Sequence, residues 1–340
     1  MKIGELGEIG IIKIFQDEFS SLPHILLGLK TPTGIYEDTG VIDLTDGKVL
    51  IVTTDLIGRK THMPPEMTPR QMGRKSVIVN ISDLAAMGAK PLGLVMSIGL
   101  PSDLGVEDLK EIAIGMNLAA EEYDTCIFGG DTNMTDDVIL AGTAIGIINK
   151  EELLTRHSAK PDDVVAVTGY LGSSAAGLQI LMRNFAVSTE IKKKLTKYTL
   201  EPKAQLKIAM ELSKIKGITA SGDITDGLAW ELHKIAAASG CGIKIEENKL
   251  PILEETKKVS KEFDLNLIDL IMHIGEDFEL ILTVNPKKWE KVQEICQKNN
   301  IKISQIGQVT DKKNVVSMID KNGNVINLKR KGYDQFSTRS

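Results

Sequence analysis

The feature that most limits how this chain can fold is a polar break at residues 150–160, which separates two runs of apolar segments. A single hydrophobic core stops growing at roughly 250–300 residues, and this chain has 340. We therefore expect two domains, residues 1–150 and residues 151–340, each long enough to bury a substantial core.

Both runs mix helical and strand patterns of apolar residues. Before the break, helical spacing predicts helices at 5–19, 77–87 and 107–122, and strand patterns lie at 49–54, 94–98, 126–128 (a buried strand) and 138–148. After it, helices are predicted at 175–183, 204–214, 228–238 and 287–298, and strands at 164–167, 242–245 and 278–284. Such mixing within each half predicts an α/β (α+β) fold built of two layers.

Charge and cysteine content exclude several classes of protein. The formal charge is −5 and the pI is about 5.7, so no basic field of the kind that binds nucleic acid is present. The three cysteines match neither a disulfide framework nor a zinc site, which indicates a reducing compartment. The chain begins without a signal-peptide pattern, and its longest apolar stretch, 138–148, is too short to span a bilayer. We expect a cytoplasmic protein without membrane or nucleic-acid partners.

Acidic residues recur at turns just beyond the predicted strands, each beside glycine, serine or threonine. Any one of them could simply form a turn or cap a helix. If several converge, each pair of carboxylates about 4 Å apart costs roughly 4 kcal/mol at an effective dielectric near 20, so the cluster needs cations. Oxygen ligands without histidine or cysteine favour magnesium, which commonly bridges to the phosphates of a nucleotide. These residues are Glu37, Asp38, Asp55, Asp83, Asp131, Asp223, Asp226, Glu276 and Asp277.

The usual phosphate-binding loops are missing from this sequence. It contains neither the P-loop pattern nor a Gly-x-Gly-x-x-Gly after a strand, so a nucleotide would be held mostly through metal ions. Residues 129–133 could offer backbone donors to phosphate, and residues 169–177 could do so or form only a tight strand-to-helix connection. The five histidines show no metal-ligand spacing, although His62 lies in a loop where it could contact a substrate.

The segment Val-Asn-Ile-Ser-Asp-Leu-Ala-Ala-Met-Gly-Ala-Lys-Pro at 79–91 resembles a signature of the aminoimidazole-ribonucleotide-synthetase-like superfamily. Further matches follow in the same order at 4–8, 53–55, 129–132, 156–157, 167–169, 223–228, 275–280 and 332–336. Together they resemble the thiamine-monophosphate kinases of that superfamily over nearly the whole chain.

This resemblance implies a homodimer in which N-terminal strands of two subunits form a barrel, with a C-terminal α/β domain beside it and an active site in the cleft between the domains. It also implies ATP-dependent phosphorylation of thiamine monophosphate to thiamine diphosphate with several magnesium ions, in which Asp83, Asp226 and Arg156 are catalytic. The implied magnesium ligands are Glu37, Asp38, Thr54, Asp55, Asp83, Asp131, Asp223 and Asp226. The implied ATP contacts are Gly130, Asp131, Arg156 and Thr225, and the implied acceptor contacts are His62, Glu276 and Tyr333.

Several positions depart from the pattern of these kinases. Arg59-Lys60-Thr61 precedes His62 where Glu-Gly-Val is common, Ser158 and Asp162 replace glycines, and Met63, Glu231 and Gln335 replace Phe, Asp and His. The acceptor could therefore be another small phosphorylated molecule. A cyclase of the same superfamily and a non-catalytic nucleotide-binding regulator are the alternatives. Superfamily members that act through a C-terminal or N-terminal cysteine are disfavoured, because Cys126 and Cys296 are the first and last cysteines.

Overall fold

The computed structural model describes residues 5–29, 37 and 39–333, except the side chain of Ile9. The first half contains the helices α1 (Gly7–Glu18), α2 (Arg59–His62), α3 (Pro69–Ala86) and α4 (Val106–Glu122). Its strands are β1 (Ile25–Leu27), β2 (Gly40–Asp43), β3 (Lys48–Gly58), β4 (Lys90–Leu100), β5 (Ile127–Met134) and β6 (Ile139–Asn149). They form one six-stranded sheet in the order β1-β2-β3-β6-β4-β5, in which only the β4–β5 pair is parallel.

The second half begins with strand β7 and forms a seven-stranded sheet in the order β13-β12-β9-β11-β7-β10-β8. Its strands are β7 (Val164–Thr168), β8 (Ile218–Asp223), β9 (Gly242–Glu246), β10 (Leu280–Val284), β11 (Ile303–Thr310), β12 (Val316–Ile319) and β13 (Val325–Asn327). Its helices are α5 (Ser173–Arg183), α6 (Thr189–Leu200), α7 (Leu206–Leu212), α8 (Leu228–Ser239), α9 (Glu254–Glu262), α10 (Leu267–Met272) and α11 (Trp289–Lys298).

Helix α3 lies between the two sheets and positions much of the site described below. Its start is fixed by a capping box, in which Thr68 accepts a hydrogen bond from the Gln71 N–H and the Gln71 side chain accepts one from the Thr68 N–H. Gly73 lets α4 approach closely, because a Cβ there would lie 2.0 Å from the Ile112 carbonyl oxygen. The largest core cluster contains residues of both halves, so α3 and its neighbours bury apolar surface from the two sheets together.

One face of the six-stranded sheet packs on α3, and the described residues leave much of the other face uncovered. Side chains alternate along β3, so Ile51 and Ile57 are buried on the α3 side while Leu56 is 57% exposed on the other. Strand β5 is the edge strand of this sheet, and its residues are mostly exposed, with Phe128 at 60% and Met134 at 75%.

Most of the predicted segments are confirmed, although their ends shift by several residues at some elements. The prediction of a buried strand at 126–128 is wrong in its burial, because Cys126 and Phe128 are exposed and β5, in the part of the chain that is described, is an edge strand paired with β4 only. The segment just before His62, predicted as loop, forms the single turn α2. Among the described residues, no helix combines the length and the apolar character that crossing a membrane requires.

Candidate active site

The C-terminal half of α3 contacts strand β3, and this contact places two of the predicted metal ligands. The Thr53 hydroxyl donates a hydrogen bond to Asp83 Oδ2. Asn80 is fully buried, and its Oδ1 accepts from the Asp55 N–H at 3.1 Å while its Nδ2 donates to the Ser76 carbonyl at 3.0 Å. Since Thr53 and Asp55 alternate onto the same face of β3, Asp55 and Asp83 both lie on the α3 side of the sheet.

Arg156 gathers carboxylates from both halves of the chain. Its side chain is buried, with Nη1 3.0 Å from Glu37 Oε2, and its own backbone N–H donates to Glu37 Oε1 at 2.7 Å. Nη2 lies 3.9 Å from Asp223 Oδ1 and 3.7 Å from Glu231 Oε2, and Glu231 also pairs with Lys234 at 2.9 Å. The structure therefore brings together three predicted site residues, Glu37, Arg156 and Asp223.

A buried hydrogen bond joins this group to α3. Ser82 Oγ donates to Asp223 Oδ2 at 2.6 Å, and both residues are about 1% exposed. Asp223 is the last residue of β8, and Ser82 directly precedes Asp83. The residue directly before Asp83 in the first half of the chain thus contacts Asp223 in the second half.

The turn that follows β8 is held against the loop that precedes β10. The Glu276 N–H donates to the Thr225 carbonyl at 2.8 Å, and the Phe278 N–H donates to the Ile224 carbonyl at 3.0 Å. A Cβ at Gly275 would lie 1.5 Å from the Thr225 carbonyl oxygen, so only glycine permits this approach. Thr225 and Glu276, predicted to contact ATP and acceptor, are therefore fixed side by side.

Tyr333 lies on the same turn. Its N–H donates to the Asp226 carbonyl at 3.1 Å, and Gly332 packs closely against Trp230. The sequence left open whether this aromatic contacts a ligand or seals the core. Tyr333 is 39% exposed among the described residues, so part of it is accessible from the surface, and its contact with a ligand stays a prediction.

His62, Lys75 and Glu276 form a second cluster. Lys75 Nζ lies 2.6 Å from Glu276 Oε1 and donates to the His62 carbonyl at 2.8 Å. His62 Nδ1 lies 2.6 Å from Thr61 Oγ1 and accepts from the Gly58 N–H at 3.3 Å. Burial lowers the pKa of His62 below its ordinary value, with the Lys75 charge acting in the same direction and Glu276 opposing both. Burial and the Lys75 charge thus favour the neutral form of the His62 imidazole.

Two buried carboxyl groups lie behind Glu276. Burial raises the pKa of Asp277 to about 8, although its oxygens accept the Gly172 N–H at 2.9 and 3.1 Å. Burial also raises the pKa of Glu279 to about 7, against the effect of a 2.6 Å hydrogen bond from the Thr168 hydroxyl. Since the Gly172 N–H is used by Asp277, residues 169–177 are better described as a tight connection than as a phosphate loop.

Three predicted site residues lie apart from these clusters. The Thr54 hydroxyl faces the uncovered side of the sheet, where it donates to the Gly142 carbonyl at 2.8 Å. Gly130 and Asp131 lie on β5, which β6 and β4 separate from β3, a backbone separation of about 14 Å at about 4.8 Å per strand. Within this chain they do not approach Asp55.

Arg59 and Lys60 contact the turn between β5 and β6. Arg59 Nε lies 2.9 Å from Asp137 Oδ1, and the Lys60 N–H donates to Asp137 Oδ2 at 3.1 Å. The charge of Arg59 is therefore offset by Asp137. An influence of these two residues on the acceptor stays a hypothesis.

The metal-ligand assignments also stay predictions. Asp38 lies outside the described residues. In the part of the chain that is described, no three His, Cys, Asp or Glu side chains already stand together as a metal site. The donor groups that do converge on α3 and Arg156 are carboxylate and hydroxyl oxygens, which is the ligand chemistry that magnesium takes.

Sequence reasoning missed Lys75, Asn80, Ser82 and Thr53. Ser82 and Asn80 lie inside the recognised 79–91 segment, and Thr53 lies beside Asp55, so nearness to a predicted ligand was the available signal. Lys75 precedes both that segment and the helix predicted at 77–87, and it follows Arg74, so the sequence offered no signal that sets it apart.

Comparison with known proteins gives consistent matches over most of the chain. Residues 36–148 match the N-terminal domain of AIR synthase related proteins, and residues 160–320 match the C-terminal domain. A thiamine-monophosphate kinase of Pyrococcus abyssi (strain GE5 / Orsay) is 38% identical over 259 residues, covering 76% of this chain and 78% of the relative. The thiamine-monophosphate kinase of Bacillus subtilis (strain 168) is 34% identical over 331 residues, covering 94% and 99%.

Solved structures share the fold. A structure described as "AaThiL complexed with AMPPCP and TMP" aligns with a TM-score of 0.83 and 27% sequence identity, covering 98% of this chain and 99% of that one. The two-domain architecture of AIR synthase related proteins, with mixed α and β content, is therefore the fold of this chain.

Proposed function

We infer that this chain, which belongs to the thiamine-monophosphate kinase family of the AIR synthase related proteins, transfers a phosphoryl group from ATP to thiamine monophosphate and so forms thiamine diphosphate. It is a phosphotransferase whose acceptor is a phosphate group. The observation that carries this inference is the convergence of Glu37, Arg156 and Asp223 with the α3 segment 82–83 in the cleft between the two sheets.

Magnesium is part of the proposal. Glu37, Asp55, Asp83, Asp223 and Asp226 would hold it, with Asp38, Thr54 and Asp131 as the remaining predicted ligands, and when bound it would neutralise the charge of the triphosphate. The fit rests on a donor set of carboxylate and hydroxyl oxygens, in which the buried carboxylates of Glu37 and Asp223 share the guanidinium of Arg156. Arg156 would offset charge on the transferring phosphoryl group, while Thr225 and Gly130 would contact ATP.

The acceptor would lie beside His62, Glu276 and Tyr333. A phosphate monoester is already a competent nucleophile, so transfer needs positioning and charge stabilisation more than a strong base. The His62 imidazole and the partly exposed Tyr333 ring can contact a planar heterocycle, and Glu276 can accept hydrogen bonds from it.

A cytoplasmic homodimer with a barrel formed by N-terminal strands is also proposed, as is the domain boundary between residues 150 and 151. The homodimer is supported by the uncovered sheet face and the open edge strand β5, since exposed apolar surface and open edges favour pairing with another chain. Leu56, Leu92 and Phe128 expose half or more of their surface there. A second subunit on this face would cover them.

The test is to incubate the purified chain with ATP, magnesium and thiamine monophosphate and to separate the products by chromatography. We expect thiamine diphosphate and ADP in equal amounts, and loss of both products in excess EDTA. ADP release without thiamine diphosphate would overturn the acceptor, and undiminished activity in EDTA would overturn the magnesium proposal. Sedimentation at micromolar concentration tests the dimer, which an active monomer would contradict.

A further inference from the structure

Lys75 is the largest side chain that the described fold buries completely. It lies in the middle of α3 and is 0% exposed. Lysine is rarely buried to this extent unless its charge is paired, because removing an ammonium group from water costs several kcal/mol. The partners of this ammonium therefore indicate why the chain keeps it there.

Both partners of Lys75 belong to segments expected to contact the acceptor. Nζ donates to the carbonyl of His62 at 2.8 Å and pairs with Glu276 Oε1 at 2.6 Å. His62 precedes α3 in the first half of the chain, and Glu276 lies in the loop before β10 in the second half. One ammonium group thus joins three segments from both sides of the cleft.

The backbone of Glu276 adopts an unfavourable conformation at this link. Its φ is +66°, a left-handed conformation that is unfavourable for glutamate, and the loop is held there by the hydrogen bond from its N–H to Thr225. The Glu276 side chain is 27% exposed, whereas that of Lys75 is 1% exposed. The carboxylate therefore has one side on Lys75 and another that can meet a ligand in the cleft.

Stability alone does not account for such a pair. A buried ion pair often contributes no more than well-packed apolar side chains of the same volume, because desolvation offsets the attraction. Elsewhere on α3 the cations behave differently: Arg70 pairs with Glu111 at the surface, where both side chains are more than a third exposed. The Lys75 pair differs from the Arg70 pair because it holds groups of both halves of the chain in a fixed geometry.

We propose that Lys75 is a positioning residue for the acceptor, which holds the His62 turn and the Glu276 carboxylate at a fixed separation across the cleft. This inference rests on the proposed function. Lys75 acts through those two residues. Its removal is expected to weaken acceptor use while ATP use changes little.

The experiment compares the wild-type protein with Lys75→Met, which keeps the length of the side chain and removes its charge. We expect the KM for thiamine monophosphate to rise by at least about tenfold, because a small misplacement of binding groups has effects of this size, while the KM for ATP changes less than about threefold. Arg70→Met, on the same helix, is the matched control and should leave both constants unchanged.

Glu276→Gln provides a second variant in case Lys75→Met fails to fold, since its side chain is partly exposed and keeps its shape. The same split between the two KM values is expected for it. In the Lys75→Met, Glu276→Gln double variant, the KM for the acceptor should rise by less than the product of the single effects, because both changes break one contact.

Equal rises in the two KM values, or a loss of folded protein with normal KM values, would overturn the positioning role. The same holds for independent, multiplying effects in the double variant. If the wild-type protein forms no thiamine diphosphate at all, the proposed function fails and takes this inference with it. An active wild type with unchanged variants removes the inference alone.

Discussion

Two contacts between α3 and the second half of the chain differ in whether α3 neutralises the charge of a carboxylate. At Lys75, an ammonium group pairs one-to-one with Glu276. About two helical turns further along α3, the neutral Ser82 hydroxyl donates to Asp223. The first contact cancels a negative charge, whereas the second leaves it in place.

This difference separates two ends of the contact between α3 and the second half of the chain. Near Ser82, the carboxylates of Glu37 and Asp223 share the buried guanidinium of Arg156, which sets two negative charges against one positive charge. Near Lys75, charge is suppressed by pairing, and the carboxyl groups behind Glu276 have raised pKa values. A negative cluster requires added cations, whereas a neutral one suits an organic ring. The first end is therefore where we propose that magnesium and phosphate bind.

The largest expected effect lies at the negative end. Asp83→Asn keeps the shape of the side chain and removes a charge, so turnover should fall by at least about a hundredfold if Asp83 holds a catalytic metal ion. The melting temperature should change little or rise, because carboxylate repulsion decreases. Steady-state kinetics and thermal unfolding measure the two effects.

Asp264→Asn is a suitable control, because Asp264 is exposed and its left-handed backbone (φ +51°) also tolerates asparagine. This control should keep wild-type activity. Retention of more than about a tenth of the rate by Asp83→Asn, a loss below about 1.4 kcal/mol, would mean that the negative cluster is not the metal site.

The neutral end makes a prediction about pH. The folded-state pKa of Asp277, about 8, exceeds its unfolded value of about 3.9, so folding binds a proton between these values. The Asp277 contribution to stability is therefore greatest below about pH 3.9, falls by roughly 1.4 kcal/mol per pH unit between about 3.9 and 8, and is lost above about 8. Glu279, with a folded pKa of about 7, acts in the same direction.

Asp277→Asn should therefore flatten the fall in the free energy of unfolding between pH 5 and pH 8, while the Glu279 contribution remains. Urea unfolding at a series of pH values measures it, with the exposed Asp103→Asn as control. If wild type and Asp277→Asn show parallel pH profiles, Asp277 is already charged in the folded protein. The contrast between the two ends would then be wrong.

The elements and residues that could be predicted from the sequence are those whose signal lies in neighbouring positions of the chain. Strand β6 was predicted to within a residue or so because its apolar run is continuous, and α4 because its apolar spacing is helical. The burial of β5 was predicted wrongly because burial depends on which layer covers a strand. Lys75 was missed for the same reason, since only the tertiary fold places a carboxylate and a carbonyl beside its ammonium group.

Ser82→Ala is expected to have an intermediate effect and to sharpen the comparison. Asp223 would lose a buried hydrogen bond, at a cost of about 1–3 kcal/mol in the free energy of unfolding. The KM for ATP should rise several-fold while that for thiamine monophosphate changes little, the reverse of the split expected for Lys75→Met. Ser76→Ala, which loses only a hydrogen bond within α3 to the Gly73 carbonyl, is the matched control. An equal effect of Ser82→Ala on both KM values would mean that the two ends do not act separately on ATP and on thiamine monophosphate.

The smallest expected effect concerns the loop that carries Arg156 at the negative end. Ser158 has φ +122° and Asp162 has φ +76°, and both stand where the resemblance places glycine, which adopts such conformations without steric cost. Ser158→Gly should raise the free energy of unfolding by up to about 1 kcal/mol, since relief of strain outweighs the added freedom of the unfolded chain. Activity should not change, because the hydrogen bond from the residue 158 N–H to Ser239 Oγ survives the substitution. Lys160→Gly in the same loop is the control, since the backbone of Lys160 is not left-handed and the loss of a side chain should only destabilise the protein.

Chemical unfolding of the wild type and the two variants measures these effects. If Ser158→Gly loses as much stability as Lys160→Gly, the backbone of Ser158 stores no strain. The contacts of Arg156 with Glu37 and Asp223 would then hold the geometry around Arg156 without a cost in backbone strain.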